Sequence, residues 1–304
     1  MTTPGIPNDY SLSTTCFGAR LPSIQDQIFA AVGMGFRRLE LGLHEAPPSM
    51  DGLDESRRET GVTIPSMVVG CRDPLNGSMA VERLGSLVPE ECERALNSVR
   101  RHVRLAQRWG CNTIVVRGAK VEDGLLKREA EGLNQRIARG TENGELKEDV
   151  QSFVKRMQRK ATKQVEQFCR SLHTLTQESP ATAFAVEPGR EIDDLIGFEA
   201  MGWVLDDLAS LKYWHDVGSI HQRELLGLTT QGQWLDAFSP RMLGVHLQDA
   251  SAEEAELPIG AGEVDFKLIA EYLPKDAERV LEIGPRHGRA EILASVQYLL
   301  EHGF

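Results

Sequence analysis

Four residues, Glu187, Asp216, His246 and Glu282, stand 29, 30 and 36 residues apart, each at or just past the end of an apolar run. The runs read "TAFAVE" (182–187), "LKYWHD" (211–216), "MLGVHL" (242–247) and "RVLEIG" (279–284). Side chains alternate sides along a strand. In "LGVHLQDA" (243–250), Leu243, Val245 and Leu247 are expected on one face and Gly244, His246 and Gln248 on the other. By the same rule Phe184 and Val186 oppose Ala183, Ala185 and Glu187, while Leu281 and Ile283 oppose Val280 and Glu282. Asp216 shares its face with Trp214. Three carboxylates and an imidazole meeting in one interior repel unless protons bind or a cation neutralises them. Three oxygens and one nitrogen suit a single divalent metal: Mn, Mg, Co or Zn. The competing expectation is that each residue keeps its own ion pair or hydrogen bond.

Four more apolar runs precede these, near 11–17, 37–43, 63–69 and 112–117, and a helical pattern follows each of the eight. Strands alternating with helices indicate βαβ units and a parallel sheet. Cys92, Leu96, Val99, Val103 and Ala106 recur at helical steps, with Gly110 as the stop; Ile292, Val296, Leu299 and Leu300 repeat the pattern near the end. Eight units in 304 residues predict an α/β (β/α)8 TIM barrel, residues 1–304 forming a single domain. A doubly wound sheet is the alternative, but no GxGxxG or Walker loop follows the first strand. Between strands 4 and 5 the chain is too long for its place, and an extended helical insertion is expected at about 119–150. It is read as a solvated excursion before a long helix, or as a lid or dimer contact over the barrel mouth.

Lys plus Arg total 34 against 45 Asp plus Glu, a formal charge of −11, which repels polyphosphates. The basic runs "SVRRHVR" (98–104) and "RMQRKATK" (156–163) fall at helical spacing and read as solvated helix faces, so no nucleic-acid partner is expected. No run of 18 apolar residues is present, so no membrane partner is expected either. Five scattered cysteines and no recognisable export signal suit a cytoplasmic location. Acidic helices around a barrel are compatible with a homodimer or homotetramer.

The words "AVEPG", "HDVG", "GVHLQDA", "PIGAGEVDF" and "VLEIGPRH", with the spacings above, resemble the xylose-isomerase-like TIM barrel superfamily, the sugar phosphate isomerase/epimerase family. The resemblance runs from "LSTTCF" to the end of the chain, and "HLQDA" followed by "PIGAGEVDF" is its most specific part. It implies Glu187, Asp216, His246 and Glu282 as metal ligands, with Glu187 and Glu282 doubling as catalytic acid and base. Many members of the epimerase branch read Asp-x-x-His on strand 6, where the histidine helps to hold substrate. Here Ser219 stands three residues after Asp216 and the histidine comes at His221, which leaves the substrate open.

A metal with open positions could chelate a hydroxy-carbonyl compound and stabilise the charge formed when a proton leaves the carbon beside the carbonyl. Glu187 and Glu282, from different strands, could then exchange that proton. The outcome would be epimerisation or isomerisation of a sugar or polyol, or loss of a hydroxyl, as in inosose and dehydroshikimate dehydratases. A non-catalytic barrel that binds a small molecule is the reading from another class. The superfamily's three-zinc abasic-site endonuclease would need more histidines at strand ends and a basic face. Candidate substrate contacts are Arg117, Arg190, Ser219, His221, Gln248, Arg286 and His287, with His44, Cys71, Arg72 and Glu191 also at strand ends. An arginine among them could take a carboxylate or phosphate. Glu40 reaches the site from below or serves only the barrel.

Overall fold

Each ladder joining the eight strands is parallel. The computed structural model describes residues 5–44, 48–70, 79–139 and 144–304, so Cys71 and Arg72 lie outside the described residues. In chain order the elements are β1 (Tyr10–Ser13), α1 (Ile24–Met34), β2 (Leu39–Glu40), α2 (Leu53–Thr60), β3 (Ser66–Val68), α3 (Pro89–Arg108) and β4 (Thr113–Arg117). There follow α4 (Gly124–Ala138), α5 (Gly144–Lys160), α6 (Thr162–Glu178), β5 (Ala183–Glu187), α7 (Phe198–Asp207) and β6 (Lys212–Asp216). The chain continues through α8 (Val217–Leu225), α9 (Gln231–Phe238), β7 (Met242–Leu247), α10 (Phe266–Tyr272), β8 (Glu278–Leu281) and α11 (Arg289–Glu301).

The strands run β2-β1-β8-β7-β6-β5-β4-β3. Bridges from Arg38 to Thr63 and from Leu41 to Met67 draw β2 toward β3 and close the wall. The result is the expected α/β TIM barrel. The first three strands are shorter than their apolar runs. Thr14–Cys16 leaves β1 in a short turn whose cap is the Ser13 hydroxyl, and Pro65, which has no N–H to donate, stands just before β3.

Trp214 fills the barrel interior with Val68, Val115, Ala185 and Val280 around it. Gly244 makes room for the indole, since a Cβ there would lie 2.4 Å from a ring carbon. The β6–β7 register slips between Tyr213 and Trp214, so Tyr213 pairs with Met242 and Trp214 with Gly244. Leu243 is the extra residue of that bulge and packs against the inner cluster, not on the outer face expected for it with Val245 and Leu247.

The excursion after β4 is a pair of helices, α4 and α5. The buried stripe of α5 (Leu146, Val150, Phe153, Val154, Met157) runs straight through the expected boundary at 150. The helix that follows, α6, packs on α3, where the Cys92 thiol and the Ser171 hydroxyl meet at 3.3 Å. It therefore occupies the fourth helical place of the barrel. The two basic runs lie on helices as expected, and Arg100 pairs with Glu93 and Glu178 at the surface. Among the described residues no helix is long and apolar enough to cross a membrane.

Candidate metal and active site

Strand parity brings Glu187, Asp216, His246 and Glu282 to one end of the barrel interior, above Trp214. One ligand atom from each lies within 4.8 Å of the other three, and all four residues are buried. The His246 Nδ1 is 2.9 Å from Glu187 Oε1 and 3.5 Å from Glu282 Oε2. Its Nε2 lies 3.0 and 3.1 Å from the two oxygens of Glu40, a wholly buried residue of β2 that also accepts from the Ser66 hydroxyl at 2.8 Å. Glu40 thus reaches the site through the histidine.

Asp216 caps α8: its Oδ1 accepts from the Ser219 N–H at 2.9 Å and its Oδ2 from the Ser219 hydroxyl at 2.6 Å. Gln248 donates to Asp216 Oδ1 at 2.9 Å, while its own Oε1 is buried without a hydrogen-bond partner. From β4, Arg117 donates through Nε to Glu187 Oε2 at 2.7 Å, and through Nη2 to both oxygens of Glu282 at 3.0 and 2.8 Å.

These contacts set the protonation. Burial would push the His246 imidazole down, but the carboxylates of Glu282, Glu40 and Glu187 hold it well above the ordinary range. Burial raises the Glu40 carboxyl, and the imidazole and hydroxyl beside it more than reverse this. Asp216 also stays below its ordinary value, because Arg117, Arg190 and His246 outweigh its burial. Glu282 is pushed up to about 7 by burial, which Arg117 and His246 only partly offset.

The residues fit a divalent cation. Nitrogen and oxygen ligands lie about 2.0–2.2 Å from such an ion, so four donors in mutual reach need only small shifts. The carboxylate behind the histidine is the arrangement that fixes a ligating imidazole: with Nε2–H given to Glu40, Nδ1 faces the other three ligands. Glu187, Asp216, His246 and Glu282 would hold the ion.

The remaining candidates divide. Ser219, Gln248 and Arg117 join the quartet. Arg190 donates to Glu256 at 2.9 Å, has a buried Nε without a hydrogen-bond partner, and lines a cavity of about 740 Å³. That cavity lies between α4–α5 (Asn134, Ile137, Leu146) and the mouth residues Glu191, Gln222 and Glu253. The insertion therefore reaches the face that carries the site. His221 turns to Glu263 at 4.0 Å, away from Asp216. Arg286 pairs with Glu254 and donates to His287, which in turn meets Glu291 at 3.3 Å, so this pair is engaged with the surface. His44 Nε2 and the Thr14 hydroxyl are 2.9 Å apart, on the β1–β2 side.

Asp249, not singled out from the sequence, explains "HLQDA" and "PIGAGEV". Its buried carboxylate accepts from the N–H groups of Ala250, Gly260 and Val264, folding the second stretch onto the end of β7. Gly260 adopts a φ of +90° there, and a Cβ at Gly262 would strike Asp249.

No protein-family model matches the chain, and no curated protein matches it. Solved structures do. A D-tagatose 3-epimerase-like protein superposes with a TM-score of 0.69 at 14% identity, over 96% of each chain. An AP endonuclease, family 2, from Brucella melitensis gives 0.64 at 13% identity, over 96% of this chain and 98% of that one. A structure described as IOLI protein with a binding zinc atom gives 0.59 at 9% identity, over 97% of each. What the chain shares with these structures is the fold, an eight-stranded α/β TIM barrel over nearly the whole of its length.

Proposed function

We propose that the protein is a metal-dependent isomerase or epimerase of a sugar, polyol or related hydroxy-carbonyl compound. The observation that carries this is the placement of Glu187 and Glu282, on strands separated by β6 and β7, about a common point shared with Asp216 and His246. Glu187, Asp216, His246 and Glu282 would hold a divalent ion there, which would supply positive charge to the oxygens of the substrate. The protein's own groups do the rest. One glutamate takes the proton from the carbon beside the carbonyl and the other returns a proton to that carbon's far face or to its neighbour. Gln248 and Ser219 keep the Asp216 carboxylate in place, and Glu40 keeps the imidazole in place. Arg190, which lines the cavity at the mouth, is a candidate contact for an anionic substituent of the substrate.

Deuterium wash-in tests the reading. A panel of ketoses, inososes and hydroxypyruvate is incubated with the protein and Mn²⁺ in heavy water. Exchange is expected with at least one compound, abolished by Glu187→Gln and by Glu282→Gln. Exchange that survives both substitutions refutes the acid–base roles. Loss of a water molecule from the substrate in the same assay identifies a dehydratase instead. Binding without exchange identifies a carrier barrel.

A further inference from the structure

We propose that Arg117 is a built-in cation that competes with the metal for Glu187 and Glu282, so that an ion enters only as the guanidinium leaves. This rests on the reading of the quartet as a metal site. Arg117 and Glu187 are the last paired residues of the β4–β5 ladder, which sets them side by side facing inward. The guanidinium then spans to Glu282 on the far side of the site. Its Nη2 sits across both Glu282 oxygens, and its Nε takes the Glu187 oxygen that His246 leaves. Every oxygen of the two glutamates is therefore engaged.

Ligating carboxylates are ordinarily hydrogen-bonded, but Arg117 sets a full positive charge across both oxygens of Glu282, where the ion would have to sit. An ion within bonding distance of these oxygens would lie a few ångströms from a guanidinium already 2.7–3.0 Å from them. Repulsion between a divalent and a monovalent cation at that separation is strong even when screened. Exposure shows which group yields. The Arg117 side chain is 28% exposed, against 0–3% for Glu187, His246 and Glu282, so the arginine stands on the solvent side. Swinging outward, it would vacate the carboxylates and present its charge at the mouth.

The test is calorimetric titration of metal-stripped full-length protein with Mn²⁺ alone, comparing the wild type, Arg117→Met and Arg117→Lys. Arg117→Met is expected to bind about 10–100-fold tighter, the scale on which groups around ligands alter metal affinity. Arg117→Lys, a point charge unable to span both glutamates, should fall between. Equal or weaker binding by Arg117→Met overturns the proposal and leaves the metal site standing. Absence of binding in all three overturns both. Should Arg117→Met fail to fold, the Arg117 Nε–Hε resonance of the wild type decides under Zn²⁺: displacement from its carboxylate-bonded position supports the proposal, and a resonance unmoved at saturation overturns it.

Discussion

Two buried histidines on neighbouring strands face opposite sides of the barrel wall. His215 of β6 points outward, its Nδ1 2.7 Å from the Tyr213 hydroxyl, amid an aromatic layer with Trp234 and Phe238. Burial drives its imidazole down to about 4, so it is neutral. His246 of β7 points inward, equally buried, and carboxylates on both ring nitrogens hold it charged. Burial is thus common to both places and does not mark the site. What marks it is charge brought inside and answered there by charge.

The largest expected effect breaks that contrast if it fails. His246→Phe strips the imidazolium from Glu40 and Glu187 and should cost about 3–5 kcal/mol, the range for removing one partner of a buried ion pair. Replacing both partners outside the wall, Tyr213→Phe with His215→Phe, should cost about 1 kcal/mol, since the neutral pair goes together and only the Gln231 amide beside His215 loses a contact. Urea unfolding of the two variants reads the difference. Equal costs would mean that the inner cluster is held by packing as the outer layer is.

Next comes Glu40→Gln, which keeps the volume and removes the charge behind the histidine. The four proposed ligands remain, but the imidazole loses the partner that fixes its tautomer. Metal affinity should fall about 10–100-fold, or roughly 1.4–2.7 kcal/mol, with unfolding changed less. Calorimetry on the metal-stripped variant measures it. Unchanged affinity would reduce Glu40 to a barrel residue.

Strand parity turns Glu187, Asp216, His246 and Glu282 inward as the sequence predicts, because the period of two is unbroken where they lie, Asp216 and His246 beyond the β6–β7 slip. Leu243 was misplaced because the β6–β7 slip arises where the Trp214 ring meets Gly244, a contact between residues 30 positions apart. The grip of Arg117 was illegible for a similar reason: it needs the register of β4 on β5, and register is not written in either strand alone. Proximity in sequence misled at Arg286 and His287. A turn in which His287 N–H donates to the Gly284 carbonyl at 3.1 Å carries both toward Glu254 and Glu291. His221 failed by helical rotation. Two residues beyond Ser219 on α8, it is turned by about 200° and meets Glu263.

The smallest effect sharpens the contrast by asking how far inner charge depends on its neutral neighbours. Ser66 and Ser13 both give Glu40 neutral side-chain hydrogen bonds, that from Ser66 at 2.8 Å, while the imidazole faces both Glu40 oxygens. If ionic answering dominates, Ser66→Ala removes one hydrogen bond to a carboxylate that keeps its cation. The cost should then be about 1 kcal/mol in unfolding and at most about threefold in metal affinity, below the tenfold that corresponds to about 1.4 kcal/mol. A loss as large as that of Glu40→Gln would instead show that the hydroxyl, not the imidazolium, keeps Glu40 ionised, and the inside of the wall would then obey the same neutral hydrogen-bond logic as Tyr213 and His215 outside it.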